Sequence, residues 1–286
     1  MSYVQGNIEV YVGPKEVGGP DDLRQTIISF IDKAKKELLI AVQELDEPEI
    51  TEAIIRAKHR KVRVKLVLEG LYLAETKPTD EPFVPGGKHK INRELFSATL
   101  RSAIDSKLDF NPATFHQKFI VRDGKSVLTG STNFTSTGTS VNLNHLIIIH
   151  SKRIAGHYSN EFFEIENGRF GRLSIMHEKA PTSVSVSNTR IKVLFAPDHQ
   201  PEMEIMKQML KAKKRIDFAI FTFAQSSGID DTMIALAKSG IKIRGIMDDR
   251  QANQSWAASH PIHKAGVELY VLKPGTPVRK VHHKLM

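Results

Sequence analysis

The sequence predicts an α/β protein built from two similar halves, each a mixed β-sheet flanked by helices. Two observations carry this. Short runs of branched and aliphatic residues alternate with helical stretches of about ten residues, the pattern of β–α–β units around a mixed or parallel sheet. The pattern then occurs twice within 286 residues, a length that accommodates two ordinary domains.

In the first copy, Ile8-Glu-Val-Tyr-Val-Gly-Pro14 precedes a helical stretch from Asp21. Ala34-Lys-Lys-Glu-Leu-Leu-Ile-Ala41 leads into a strand, and a helix from about Glu49 to His59 precedes the strand Val62–Leu68. The second copy runs Ile191-Lys-Val-Leu-Phe-Ala-Pro197, a helix from about Glu202, then Ala212-Lys-Lys-Arg-Ile-Asp-Phe-Ala219. A helix from about Asp230 to Lys238 and the strand Ile241–Met247 complete it. The expected halves are residues 1–180 and 190–286. Their seam lies at Pro181–Thr189, where Thr-Ser-Val-Ser-Val-Ser-Asn-Thr follows a proline; its alternation reads equally as a connecting strand. The halves differ most between Leu71 and Thr114. A Pro- and Gly-rich loop from Thr76 to Lys90 is expected there, then a helix near Ile91 to Asp105. Such long loops are uncommon unless disordered or functional, and Lys88 and Lys90 are candidates to flank a site, with a solvated loop the equal reading.

Composition narrows the chemistry. With no cysteine, disulfides, thiol catalysis and thiolate metal sites are excluded. The 41 Lys and Arg against 32 Asp and Glu leave a charge of +9, which attracts polyanions by its long-range field. No segment approaches the roughly 18 to 20 apolar residues of a membrane helix, and the N-terminus lacks the charged and apolar regions of a secretory signal. The expectation is a soluble cytoplasmic protein that does not engage the membrane.

The most informative run is His116-Gln-Lys118-Phe-Ile-Val-Arg-Asp123-Gly-Lys-Ser-Val-Leu-Thr-Gly130-Ser131-Thr-Asn133. Residues 116–121 read as a strand on which His116 and Lys118, two apart, share a face. Asp123-Gly124 is a two-residue hairpin signal, and the returning strand brings Gly130-Ser131-Thr132-Asn133 back beside the hairpin's start. One hairpin thus gathers an imidazole, an ammonium, a hydroxyl and an amide, a set suited to phosphate-ester chemistry. A neutral imidazole attacks phosphorus, a protonated one donates to the leaving oxygen, and ammonium and amide groups hold the non-bridging oxygens. Such a scheme needs two histidines and no metal or other cofactor. In the second copy, Val281-His282-His283-Lys284-Leu285-Met286 repeats the start of the motif, with His282 and Lys284 in the places of His116 and Lys118. By first-copy spacing the matching aspartate would fall three residues beyond Met286, so the sequence is expected to be cut short inside the second motif.

The pattern HxKxxxxDxxxxxxGSxN resembles the signature of the phospholipase D superfamily, the HKD phosphodiesterases. The resemblance implies a pseudo-twofold pair of halves whose motifs serve one site, from one chain as an internal pseudo-dimer or from a homodimer. It implies His116 as nucleophile and His282 as general acid, or the reverse, through a phosphohistidine. Lys118, Lys284 and Asn133 would bind phosphate, and Ser131 would support the site. Asp123 belongs to the motif's catalytic set, but its place at the far hairpin tip reads as structural. Relatives commonly place a carboxylate after GSxN to orient a histidine. Here Asn144 stands in that place, an amide that accepts from an imidazole without stabilising an imidazolium as a carboxylate would; it reads equally as a strand-cap residue.

Other candidates weigh less. His260-Pro-Ile-His263 has a metal-site spacing but reads as a loop. His145 and His150 read as structural histidines beside an apolar strand. Asp248-Asp249-Arg250 reads as a strand-end turn, like its counterpart Glu69-Gly70. His283 faces away from its neighbours, and Trp256 is either a base-stacking residue or helix packing, the safer reading. Together, charge and motif point to a metal-independent nuclease with nucleic acid as partner. The alternatives are a phospholipid phosphodiesterase or phosphatidyltransferase, and a non-catalytic nucleic-acid-binding module.

Overall fold

The computed structural model describes residues 3–73, 89–169, 171, 182–272 and 275–286. The chain divides into two compact units, Met1–Ser140 with His145–Val193, and Val141–Asn144 with Leu194–Met286.

The first unit opens on the antiparallel strands β1 (Tyr3–Gln5) and β2 (Ile8–Gly13). Helix α1 (Leu23–Asp32) starts at Asp22, whose carboxylate accepts the Gln25 N–H at 2.8 Å, the ordinary N-cap arrangement. Strand β3 (Glu37–Val42), helix α2 (Pro48–His59) and strand β4 (Arg63–Glu69) form the expected β–α–β unit, its strands parallel and in register from Glu37↔Arg63 to Val42↔Leu68. Helix α3 (Lys90–Arg101), strand β5 (Asp105–Asp109), the antiparallel hairpin β6 (Lys118–Arg122) and β7 (Ser126–Gly130), the short α4 (Ser136–Ser140), strand β8 (Asn142–His150), helix α5 (Lys152–Glu166) and the hairpin β9 (Val184–Val186) and β10 (Thr189–Ile191) follow. The sheet order is β1-β2-β8-β7-β6-β3-β4-β5.

Strand residues alternate between two helical layers. Leu38, Ile40, Val42, Leu66 and Leu68 pack in one core with Leu23, Ile27 and Ile31 of α1 and Ile50 and Ile54 of α2. The intervening Leu39, Ala41 and Phe119 are also buried, and Phe119 meets the Tyr158 ring of α5 edge-on at 5.0 Å. Burial on both faces explains why the central strands read as continuous apolar runs.

The second unit contains α6 (Pro201–Met209), β11 (Arg215–Ile220), α7 (Ile229–Lys238), β12 (Lys242–Met247), α8 (Asp249–Ala252), α9 (Ser259–Lys264), β13 (Glu268–Val271), β14 (Lys280–Val281) and β15 (Lys284–Leu285). Its sheet order is β13-β12-β11-β15, with β11, β12 and β13 parallel and β15 antiparallel. This repeats the run β5-β4-β3-β6 of the first unit, where β6 is likewise antiparallel to β3. The registers correspond: Lys118 lies opposite Val42, and Lys284 opposite Ile220. Strand β14 pairs with Asn142 and Leu143. Met209, Phe218, Phe223, Met233, Met247 and Ile262 form the core.

Several local expectations are corrected. The helix expected to reach Asp105 ends at Arg101; Ala103 turns the chain with φ 54°, and Asp105–Asp109 pairs parallel with β4 despite its polar composition. In the expected seam, Val184–Val186 is a hairpin strand turned by Ser187 and Asn188, both at positive φ; Pro181 lies outside the described residues. Of the strand-like run Ile191–Pro197 only Ile191 is paired, as the end of β10. His260 and His263 lie on helix α9 rather than in a loop. Trp256 lies between α8 and α9, on neither, and is 42% exposed. The loop expected from Thr76, with Lys88, falls outside the described residues up to residue 88, whereas Lys90 begins α3 and pairs with Glu94 at 3.6 Å.

Candidate active site

Strand β6 begins at Lys118, so His116 precedes the strand instead of sharing its face. The approach is fixed by the backbone: the Gln43 N–H, just past β3, donates to the Gln117 carbonyl at 2.9 Å. Phe115 is buried, His116 is exposed, and Lys118 is buried at 7% exposure. A buried ammonium needs acceptors. Lys118 Nζ donates to Gln43 Oε1 at 3.2 Å and to the His116 carbonyl at 3.0 Å.

The far end of the hairpin does different work. Asp123 and Gly124 both adopt positive φ, and the Lys125 N–H donates to the Arg122 carbonyl at 3.0 Å. Because Arg122 pairs with Ser126, the connection is three residues and not two. Asp123 accepts backbone N–H groups from Lys35 at 3.1 Å, Lys36 at 2.7 Å and Glu37 at 3.0 Å. Burial opposes ionisation there, but these three donors and Arg122 outweigh it and hold the carboxyl below its usual range. Asp123 therefore ties the hairpin tip to the start of β3, at the opposite end of β6 from His116.

At the other end of β7, Gly130 has φ 154°, and a Cβ there would lie 2.2 Å from the His145 carbonyl oxygen. That close approach requires glycine. It lets the Ser131 N–H donate to the His145 carbonyl at 3.1 Å, while Ser131 Oγ accepts the His145 N–H at 3.1 Å and lies 3.2 Å from its Nδ1. Ser131 thus anchors His145 and β8. Asn133 Oδ1 is buried and has no hydrogen-bond partner among the described residues.

The second motif repeats the first with different neighbours. The Phe221 N–H, just past β11, donates to the His283 carbonyl at 3.0 Å, the counterpart of Gln43 on Gln117. Lys284 Nζ donates to the His282 carbonyl at 3.0 Å, as Lys118 does to that of His116. Where Gln43 supplies an amide oxygen to Lys118, Phe221 supplies a ring face: its centroid is 5.5 Å from Lys284 Nζ and 5.2 Å from Lys280 Nζ. The same ring is 4.9 Å from the His282 imidazole.

His282 is buried, and its Nδ1 lies 2.9 Å from Asn144 Oδ1 while Asn144 Nδ2 donates to the Asn142 carbonyl at 3.3 Å. Asn144 is a fully buried interior residue of β8, not a strand cap. Its amide oxygen can only accept, so His282 carries its proton on Nδ1. Nε2 is then left to face Lys284 Nζ at 3.0 Å. Part of Lys284 reaches solvent, but burial of its ammonium against His282 and Phe221, with the charge of Lys280, lowers its pKa to about 7. Burial, with Lys284 beside it, likewise lowers His283 to about 4, so that imidazole is neutral at physiological pH.

The remaining candidates are occupied structurally. His150 Nε2 is 2.8 Å from Glu9 and its Nδ1 is 2.8 Å from Ser126. Among the described residues no three His, Asp or Glu side chains are grouped to hold a metal, and no helix is long and apolar enough to cross a membrane. Sequence reasoning missed Gln43 and Phe221; the only signal was their shared place just after corresponding strands of the repeat.

Comparison with known proteins adds to this geometry. The family described as "Cardiolipin synthase, PLD-like domain" matches residues 27–165 and 205–286, well over half of the chain. The chain is 30% identical over 139 residues to "Phospholipase D" of Rickettsia conorii, covering 49% of this chain and 62% of that protein. It is 27% identical over 143 residues to "Mitochondrial cardiolipin hydrolase" of Xenopus tropicalis, covering 50% and 60%. The match thus spans about three fifths of the length of these curated relatives. The crystal structure of phosphatidylserine synthase from Haemophilus influenzae Rd KW20 aligns over 96% of this chain and 75% of its own, with a TM-score of 0.57 and 12% identity, which shows a shared fold.

Proposed function

The chain belongs to the phospholipase D superfamily, and from that premise we propose that it is a histidine-dependent phosphodiesterase whose substrate is nucleic acid. The observation that carries the chemistry is the environment of His282. Its Nδ1 proton is held by Asn144 and its Nε2 is presented beside an ammonium, the form in which an imidazole attacks phosphorus.

In the proposed reaction the Nε2 lone pair of His282 forms a P–N bond as the P–O bond to the leaving group breaks. The leaving oxygen takes a proton from His116, which is assigned the acid's role and acts in its imidazolium form. Water then attacks the phosphohistidine, giving up its proton to the now neutral His116 as the P–N bond breaks. The products are an alcohol and a phosphate monoester, and the enzyme is returned to its starting form. Lys118, Lys284 and Asn133 neutralise and orient the non-bridging oxygens, and Ser131 acts through His145 and β8. Asp123 takes no part in the chemistry. The order of the histidines is the reverse of the one the resemblance first suggests, because the amide contact fixes the His282 proton on Nδ1 and leaves Nε2 turned toward Lys284.

The charge of +9 supports nucleic acid as the substrate, since a basic surface concentrates polyphosphate chains. A phospholipid substrate is the second reading, favoured by the names of the relatives, phospholipase D and cardiolipin hydrolase. One set of assays separates them: cleavage of labelled single- and double-stranded DNA and RNA in excess EDTA, beside headgroup release from phospholipid vesicles. Nucleic-acid cleavage lost in H116A and in H282A is expected. Denaturing the enzyme in mid-turnover and mapping the phosphate by mass spectrometry should place it on His282. Vesicle hydrolysis without nucleic-acid cleavage would replace the substrate assignment, and phosphate found on His116 would restore the other order.

A further inference from the structure

The two motif histidines are preceded by residues whose backbone is held in the same unusual way. The Phe115 N–H, one residue ahead of His116, donates to Glu69 Oε2 at 2.6 Å. The Val281 N–H, one residue ahead of His282, donates to Asp248 Oδ2 at 3.2 Å. Glu69 is the last residue of β4, and Asp248 directly follows β12, the corresponding strand of the second unit. Both carboxylates are buried, at 0% and 4% exposure. Each comes from a strand that does not pair with the motif strand, so neither contact follows from sheet register.

We propose that Glu69 and Asp248 are paired positioning residues, each fixing through one peptide N–H the backbone from which a motif histidine projects. The inference rests on the assignment of His116 and His282 to the reaction. A buried carboxylate is costly unless it is hydrogen-bonded, and here it is placed where a backbone donor at the strand entrance would otherwise go without a partner. Neither residue is argued to touch substrate. A carboxylate accepts with both oxygens and donates with neither, which suits the backbone N–H groups of Phe115 and Val281.

The two copies differ in a way that sets up the test. Both Glu69 oxygens accept N–H groups, since Oε1 also takes the Leu71 N–H at 3.0 Å. An amide there turns an NH2 toward a backbone N–H, so E69Q breaks one bond. Asp248 Oδ1 has no hydrogen-bond partner among the described residues, so in D248N the amide oxygen can keep the Val281 N–H and the NH2 meets no donor. The inference therefore expects D248N to preserve His282 placement, D248A to lose it, and both E69Q and E69A to disturb His116.

The experiment is NMR of ring-labelled histidines in the intact protein, with His116 and His282 assigned from H116A and H282A, alongside steady-state kinetics. Ring signals of His116 should shift or broaden in E69Q and E69A with those of His282 unmoved, and the converse should hold for D248A. In the same variants kcat should fall about 10- to 100-fold, the scale of a 1 Å misplacement, while KM changes little because ground-state binding is retained. D248N should match the wild type in both readouts, which also guards against misreading a folding defect in D248A. Unmoved ring signals in E69Q and E69A, or in a folded D248A, overturn the proposal. Ring signals that move as expected in a protein that turns over no phosphodiester would sustain the positioning role and sink the assigned reaction instead.

Discussion

At the scale of single residues, the defining departure is Asn144. The imidazole of His282 meets an amide oxygen where a carboxylate would add a full negative charge. Replacing Asn144 by Asp supplies that charge within hydrogen-bond distance of the ring and favours the charged imidazolium of His282. The sign follows from the proposed role. A nucleophilic imidazole works only when neutral, so a raised pKa moves the acid limb of the kcat/KM profile to higher pH by the same amount, and activity near pH 6 falls. If His282 is instead the acid, the basic limb moves outward and activity at high pH rises. A profile measured from pH 5 to 9 on N144D separates the two, and an unmoved profile would show that the Asn144 contact does not tune the reaction.

At the scale of elements, the β6–β7 hairpin is secured at both ends by contacts that its own sequence does not announce. Gly130 permits the close approach to β8, and Asp123 binds three amides at the start of β3. Removing the carboxylate in D123A should cost about 1.5 to 3 kcal/mol, the range for hydrogen bonds to a charged group, with catalytic constants little changed in the protein that remains folded. The pH dependence is fixed in sign. The folded carboxyl titrates below its usual range, so its stabilisation is present above the unfolded value of about 3.9 and is lost as pH falls through the lower folded value. Urea midpoints of wild type and D123A should therefore differ at pH 7 and converge in strong acid. A large loss of kcat with unchanged stability would return Asp123 to the chemistry. The hairpin itself was legible, from branched residues around Asp123-Gly124. The partners of Asp123 were not, because they lie in a strand more than eighty residues earlier, a separation that no local pattern encodes. The same limit hid Glu69 and Asp248, whose value lies in the backbone N–H groups they receive. It also explains β5: Asp-Ser-Lys-Leu-Asp looks unlike a strand, and its pairing with β4 is set by tertiary context.

At the scale of the whole molecule, the repeat was legible because both copies keep the order of strands and helices, and because Lys118 and Lys284 occupy matching registers. What the repeat could not convey is how differently the two copies surround their motifs, one with a glutamine and an exposed histidine, the other with a phenylalanine and a buried one. The remaining global quantity is charge, and it bears on the substrate. If the net +9 serves to hold nucleic acid, binding must release counterions, and log K should fall linearly with log salt. Engagement of about three to five phosphates corresponds to a slope of about −3 to −4.5 on duplex and about −2 to −3.5 on single strands. Adsorption to zwitterionic vesicles displaces few counterions and should respond weakly over the same range. Fluorescence anisotropy of labelled oligonucleotides with H282A, which should bind without cleaving, measures the slope between 50 and 200 mM salt on the scale over which such contacts are lost. A slope near zero would mean that the charge does not serve phosphate-backbone binding, and with it the main argument for nucleic acid over lipid would fall.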